Sequence, residues 1–241
     1  MLSRVMLTKS LAVGALAAGG LLLVLTGTSR ASGGPTAAQL LKTALADATA
    51  RGSVHESTVE VSGSRRVTLS DDVAVDAGRQ NITVSGGISA HVLVIGETAY
   101  ISGNQPALIT YFGFPSADAT VIGDQWVSVA STNPDYANVA SDATLPSALA
   151  DLIPHGELTE LDATKVDGES VVGLRAALPP SFKAKGTMTI YITRSSHPLP
   201  VSASLIARRA GMTATSMSTL RDWGEAVSVK RPTDPIPSSK L

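Results

Sequence analysis

A strict two-residue hydrophobic period, recurring through the second half of the chain, constrains the fold more than any other feature. Met188, Ile190 and Ile192 alternate with Thr187, Thr189, Tyr191 and Thr193, and Leu199, Val201, Ala203 and Leu205 alternate around Ser202 and Ser204. Successive side chains of a strand point to opposite faces, so each such segment reads as a strand with one face on a core. Leu158 to Leu161, Ser170 to Leu178, Gly186 to Thr193, Pro198 to Arg208, Met212 to Leu220 and Ala226 to Val229 follow one another with turn residues between them. This is the pattern of an antiparallel meander.

The first half opens differently. Thr36 precedes a stretch in which Leu40, Leu41, Ala44, Leu45 and Ala48 recur at helical spacing, predicting one amphipathic helix. After Arg51-Gly52 the period returns to two: Val59 and Val61 are interleaved with Thr58, Glu60 and Ser62, a half-buried strand. Strands are predicted at Gln80 to Ser85, Ile88 to Ile95, Thr98 to Ser102 and Gln125 to Val129, and short helices at Pro106 to Phe112 and Leu145 to Ile153. Ala90-His91-Val92-Leu93-Val94-Ile95 is apolar on both sides, so both its faces need cover, from helices or from a ligand. Leu108, Ile109 and Phe112, with Phe114 beyond a glycine, read as a lid or as a second core helix. About eleven strands with three helices predict a mainly β (α+β) fold, a large curved antiparallel sheet or half-open barrel with helices on its concave face. Residues 32–231 form a single domain in this reading, and 232–241, with three prolines, a frayed tail.

Residues 1–31 carry a targeting signal. Arg4 and Lys9 precede an uncharged stretch from Leu11 to Leu25, which is shorter than the ~20 apolar residues of a spanning helix. Small residues at Ser29 and Ala31 place cleavage after Ala31, with the neighbourhood of Thr28 and Ser29 as the competing site and an uncleaved anchor as the alternative. Leu25-Thr26-Gly27 followed by Thr28 is a lipoprotein signal with threonine in place of the lipid-bearing cysteine, and the chain contains no cysteine. Lipid anchoring by that route is excluded chemically. Removal of the signal lowers Lys+Arg from 19 to 16 against 20 Asp+Glu, a formal charge of −4. That balance disfavours nucleic acid and anionic membrane surfaces as partners.

Catalytic fingerprints are absent. There is no G-x-S-x-G elbow, phosphate-binding glycine loop, dinucleotide fingerprint or H-E-x-x-H helix. His55, His91, His155 and His197 are scattered singly, the first two on strand faces and the others beside prolines in loops. Asp71-Asp72, with Asp76 nearby, read as a turn satisfying its own backbone. Asn81-Ile82-Thr83 matches a glycosylation sequon, for which a bacterial signal leaves no use. No catalytic residue, metal or cofactor is expected.

The order of parts resembles the actinobacterial LppX/LprG-type family of envelope lipoproteins, whose fold is similar to LolA and LolB. The matching phrases are the helix Thr36 to Ala50, Val59-Glu-Val-Ser-Gly-Ser64, Val94-Ile-Gly-Glu-Thr-Ala-Tyr-Ile-Ser102, Asp124-Gln-Trp-Val-Ser-Val129, His197-Pro-Leu-Pro-Val201 and Asp222-Trp-Gly-Glu-Ala-Val227. The resemblance implies a half-open barrel whose hydrophobic cavity shields the acyl chains of a lipid or glycolipid in the cell envelope, non-covalently and as a monomer. Val92, Val94, Met188, Ile190, Ile192 and Leu205 are the expected cavity lining, with Tyr100 and Trp126 at the mouth, where an aromatic body with a polar tip is at home. The alternatives are an envelope module that binds a protein partner with the same half-barrel, and a hydrolase whose site assembles from distant residues.

Overall fold

The computed structural model describes residues 35–141, 143–179 and 182–241. The signal segment and the lipobox-like phrase lie outside the described residues.

The chain enters through α1 (Ala37–Arg51). Thr36 and Gln39 form a reciprocal capping box, the Thr36 hydroxyl accepting from the Gln39 backbone and the Gln39 side chain accepting from Thr36 N–H. Six strands then follow as a meander: β1 (Ser53–Ser62), β2 (Arg65–Ala74), β3 (Ala77–Val84), β4 (Ile88–Ile95), β5 (Thr98–Gly103) and β6 (Val127–Ala130). Helices α2 (Gln105–Thr110) and α3 (Ser116–Ile122) interrupt between β5 and β6, and α4 (Tyr136–Ala140) and α5 (Leu145–Asp151) follow β6. The chain returns through β7 (Thr159–Glu160), β8 (Thr164–Val166), β9 (Glu169–Ala177), β10 (Lys185–Thr193), β11 (Pro200–Arg209) and β12 (Met212–Arg221), ending in β13 (Ile236–Pro237).

All join one open, curved sheet in the order β13-β6-β5-β4-β3-β2-β1-β12-β11-β10-β9-β7, with β8 also on β9. The two meanders are sewn together where β1 pairs antiparallel with β12. The helices lie on the concave face. Against α1 and α5 pack Val54, Val73, Ile190, Ile192, Ala203 and Leu220; with α2, α3 and α4 pack Val92, Val94, Ala99, Ile101, Val127 and Val129. Ala44 and Ala48 are small enough to bring α1 close to the sheet. The predicted architecture is therefore the observed one.

Several local expectations are corrected. Asp71 and Asp72 are not a turn; they sit inside β2, opposite Glu56 and His55 of β1 and Gln80 and Arg79 of β3. The turns fall on either side, and cross-strand partners replace the local backbone bonds a turn would supply. Ala226 to Val229 form no strand, because the chain there is tied to strand ends instead: Gly224 N–H donates to Ser53 O, and the Ser53 hydroxyl to Glu225 O. The tail expected to fray is paired, β13 running parallel to β6 with Ile236 N–H donating to Trp126 O at 2.8 Å. Helices α3 and α4 were not expected; both are short, and their periodicity spans under two turns.

The face of β1 is the most informative correction. Its alternation is as predicted, but in the opposite sense: Glu56, Thr58 and Glu60 are buried while Val59 and Val61 are half-exposed. Val54 must lie under α1, and pairing along the whole strand with β2 and β12 fixes the parity of every later residue.

Candidate functional site

The expected cavity lining divides by strand register. Val92 pairs with Ile101 and Val94 with Ala99, all on the helix-covered face. Ile190 pairs with Ala203 and Met188 with Leu205, on the same concave face farther round the sheet. Ile190 and Ile192 are fully buried and Val92, Val94 and Met188 nearly so, whereas Leu205 is half-exposed. Val92, Val94, Ile190 and Ile192 pack with helix residues, so half of the expected lining is core.

Tyr100 and Trp126 belong elsewhere. Tyr100 pairs with Leu93 and Ser128, whose parity is opposite to that of Val92 and Val127, so it lies on the convex face. Trp126 precedes Val127 and its ring stands 6.4 Å from that of His91, also on the convex face. Neither is at a mouth among the concave residues. Their phrases carried no register, and a one-residue difference in parity exchanges the faces.

The apolar space lies instead between two helices. Leu45 and Thr49 of α1, Leu145, Pro146, Leu149 and Ala150 of α5, Ile153 just beyond it and Val75 of the β2–β3 turn enclose a recess of about 330 Å³. Its wall is almost entirely hydrocarbon, because the Thr49 hydroxyl is consumed within α1, donating to Leu45 O at 2.8 Å. Leu145 and Leu149 continue from the recess into the core that holds Ile190 and Ile192. Val75 is 58 % exposed at its rim, a large apolar side chain left uncovered. The 106–112 helix, expected as a lid or as a second core helix, is the second of these: Leu108 is fully buried in the core while Ile109 is 39 % exposed. The usable signal was the second apolar edge of α1, Leu45 beside the buried Leu41-Ala44-Ala48 stripe.

A second, polar depression of about 150 Å³ opens on the convex side, lined by His55, Asp72, Arg79, Asp222 and Glu225 among others. His55 Nδ1 lies 2.6 Å from Asp72 Oδ1, Arg79 Nε donates to Asp72 Oδ2 at 2.5 Å, and Arg221 Nη2 is 3.3 Å from His55 Nε2. Burial alone would raise the Asp72 pKa, but the bonds from His55 and Arg79 and the Arg79 and His55 charges hold it below the usual carboxylate range. The opposite balance acts on Tyr136, which burial and then the Glu97 charge push upward. His91, His155 and His197 are exposed. Among the described residues no three His, Asp or Glu side chains are placed to hold a metal ion, and no helix is long and apolar enough to cross a membrane.

No family model and no curated protein matches this chain. Solved structures do. The Mycobacterium tuberculosis lipoprotein LppX is similar over 81 % of this chain and 100 % of its own, at 16 % identity and a TM-score of 0.51. LprF from Mycobacterium bovis is similar over 80 % of this chain and 95 % of its own, at 16 % identity and a TM-score of 0.49. The Pseudomonas aeruginosa MucA/MucB complex contributes a chain similar over 76 % of this one and 55 % of its own, at 17 % identity and a TM-score of 0.39. At such identities likeness concerns fold, and the fold of this chain is of the LppX type.

Proposed function

We propose that this is an exported envelope protein that holds the acyl chains of a lipid or glycolipid non-covalently in the recess between α1 and α5 and carries them through the cell envelope without acting on them chemically. The recess is the observation that carries this reading. Its volume falls at the lower end of ligand-binding pockets, ~300–1,000 Å³, and its lining is hydrocarbon, as such pockets require. At ~30 Å³ for each water-sized group it holds about ten methylenes. These contribute about 8 kcal/mol on transfer from water, against an association cost of at least ~4 kcal/mol. One chain segment is thus held reversibly, the property a carrier needs. Ile190, Ile192 and Leu174 form the core against which the recess wall is braced. Release after Ala31, with no cysteine to anchor the chain, leaves the carrier free to diffuse as a monomer.

A second reading, in which the recess takes an apolar segment of a protein partner, draws on the close packing of Val92, Val94, Ile190 and Ile192 beneath the helices. Native mass spectrometry of the protein purified without detergent from its own host's envelope, with organic extraction, separates the two. A lipid near unit stoichiometry, lost in Ala150→Trp, which fills the recess from an exposed position, is expected. A protein that arrives empty and takes up no added lipid would favour the partner-binding reading.

A further inference from the structure

The reversed parity of β1 has a second consequence, on the convex side of the sheet. Val59 and Val61 stand outward, and register sets them among further uncovered hydrocarbon: Val59 lies opposite Met217, and Val61 opposite Thr215, which in turn faces Ile206. Met217 is 62 % exposed and Ile206 37 %. Four apolar side chains on three neighbouring strands thus share one outward patch, toward the end of the sheet where the β1–β2 and β11–β12 hairpins turn. Contiguous exposed hydrocarbon marks an interaction surface.

Positive charge rings the patch. Arg66 lies opposite Val61, and Lys185 lies opposite Arg208, two residues along β11 from Ile206. Lys183 and Arg209 stand at the adjoining chain reversals, and all five side chains are exposed. Like charges directly opposite one another across two strands oppose folding, and a local conflict of this kind marks a functional position. Among the described residues none of the five has an ion-pair partner; the ion pairs gather on Asp72, Asp47 and Asp222. The outward positions of β11 and β12 in this patch, and of β1, β2 and β10 beside it, include no carboxylate. The acidic balance of the whole chain is an average. Surface charges are screened beyond ~8 Å, so an approaching surface meets this cationic face alone.

Shape and chemistry select the partner. The face is convex, and the two depressions described above lie away from it, one between α1 and α5 and the other around His55 and Asp72 at the opposite strand ends. An acidic peptide finds no groove here for apolar residues of its own. A bilayer interface needs none, because it takes adaptable methionine and aliphatic tips into the boundary between headgroups and chains while phosphates meet Lys and Arg. Clusters of about four to eight Lys and Arg beside hydrocarbon are the composition that recognises anionic lipid.

We propose that this convex face docks the protein on the surface of an anionic phospholipid bilayer, with Ile206 and Met217 entering the interface and Arg66, Lys185 and Arg208 meeting the headgroups. The dock is separate from the recess and does not depend on what the recess holds.

The test is co-sedimentation of the exported protein with vesicles of phosphatidylcholine alone and of equal parts phosphatidylcholine and phosphatidylglycerol. Binding to the anionic vesicles is expected to be at least about tenfold tighter and to weaken with added salt. Arg66→Gln, Lys185→Gln and Arg208→Gln together should weaken it about a hundredfold, at roughly fivefold per cation, with an equal or higher melting temperature. Lys185→Gln alone, with its fivefold loss, serves should the triple variant not fold. Arg51→Gln, Lys165→Gln and Arg194→Gln make the same change in charge at exposed positions by the opposite strand ends, and should leave binding within about twofold. Ile206→Ser with Met217→Ser should remove the binding that survives high salt. Equal binding to both kinds of vesicle, or equal losses in the two triple variants, would overturn the proposal. Wild-type binding in the Ile206 and Met217 variant, with competition by soluble polyaspartate, would also overturn it and name an acidic protein as the partner. Ala150→Trp, which blocks the recess, should bind vesicles as wild type does; its failure to do so would mean that vesicles are held through the recess, overturning the dock and sparing the carrier.

Discussion

Gly78 on β3 is where the α4–α5 connection seats on the sheet, and Gly78→Ala measures how firmly. A Cβ built there falls 2.2 Å from the Ala143 carbonyl oxygen and 3.1 Å from the Asp72 carbonyl oxygen. Both obstacles are backbone, which cannot swing aside as a flexible side chain would. Ordinary contact begins near 3.4 Å, so the connection must retreat by about 1.2 Å, and Ala143 is fully buried in the second core. Overpacking of this kind costs about 1–3 kcal/mol. At roughly 2–4 °C per kcal/mol for a domain of this size, the melting temperature should fall by about 2–12 °C. Calorimetry and urea denaturation measure it, and an unchanged urea m-value would show that the loss lies in the native state. The same displacement carries Leu145 and Leu149 outward, so uptake of a fluorescent alkyl chain should weaken together with stability. A melting temperature within 1 °C of wild type, with uptake intact, would mean that the connection is not seated on Gly78, and the geometry of the recess would be refuted with it.

Two further outcomes test the core and the convex polar group. Ile190→Ala should cost about 2–5 kcal/mol in urea denaturation, because a fully buried β-branched side chain leaves a cavity; Ile206→Ala, on a side chain 37 % exposed, should stay within about 0.5 kcal/mol. Equal effects would refute the assignment of faces on β10 and β11. Asp72 has a folded-state pKa below its ordinary value of 3.8, so the unfolded chain binds its proton first as pH falls. Its contribution is full above that value and is lost as pH drops through the lower, folded one. Asp72→Asn should therefore flatten the acid limb of a stability–pH curve below about pH 4, and an unaltered limb would show that His55 and Arg79 do not stabilise the carboxylate.

What could be read from the chain alone was whatever depends on local periodicity. Thr36 with Gln39 and the Leu40-Leu41-Ala44-Ala48 stripe specify α1, and the alternation at 186–193 and 200–209 specifies β10 and β11, because helix and strand expose different residue spacings to water. The likeness in the order of parts extended this to the curved sheet with helices on its concave face. Which side of a strand faces inward was less accessible. The two-residue period is indifferent to face, so Glu56 and Glu60 turned inward, and Tyr100 and Trp126 turned outward, only once pairing to β2, β12, β4 and β6 set the parity. The Asp71-Asp72 pair likewise has the composition of a turn and becomes a strand through partners on β1 and β3. The recess between α1 and α5 depends on residues roughly 100 positions apart and on how closely two alanines let a helix approach the sheet. Sequence by itself determined the elements and their broad arrangement; tertiary pairing decided which faces are buried, and therefore where the concave side is lined by hydrocarbon and where by polar side chains.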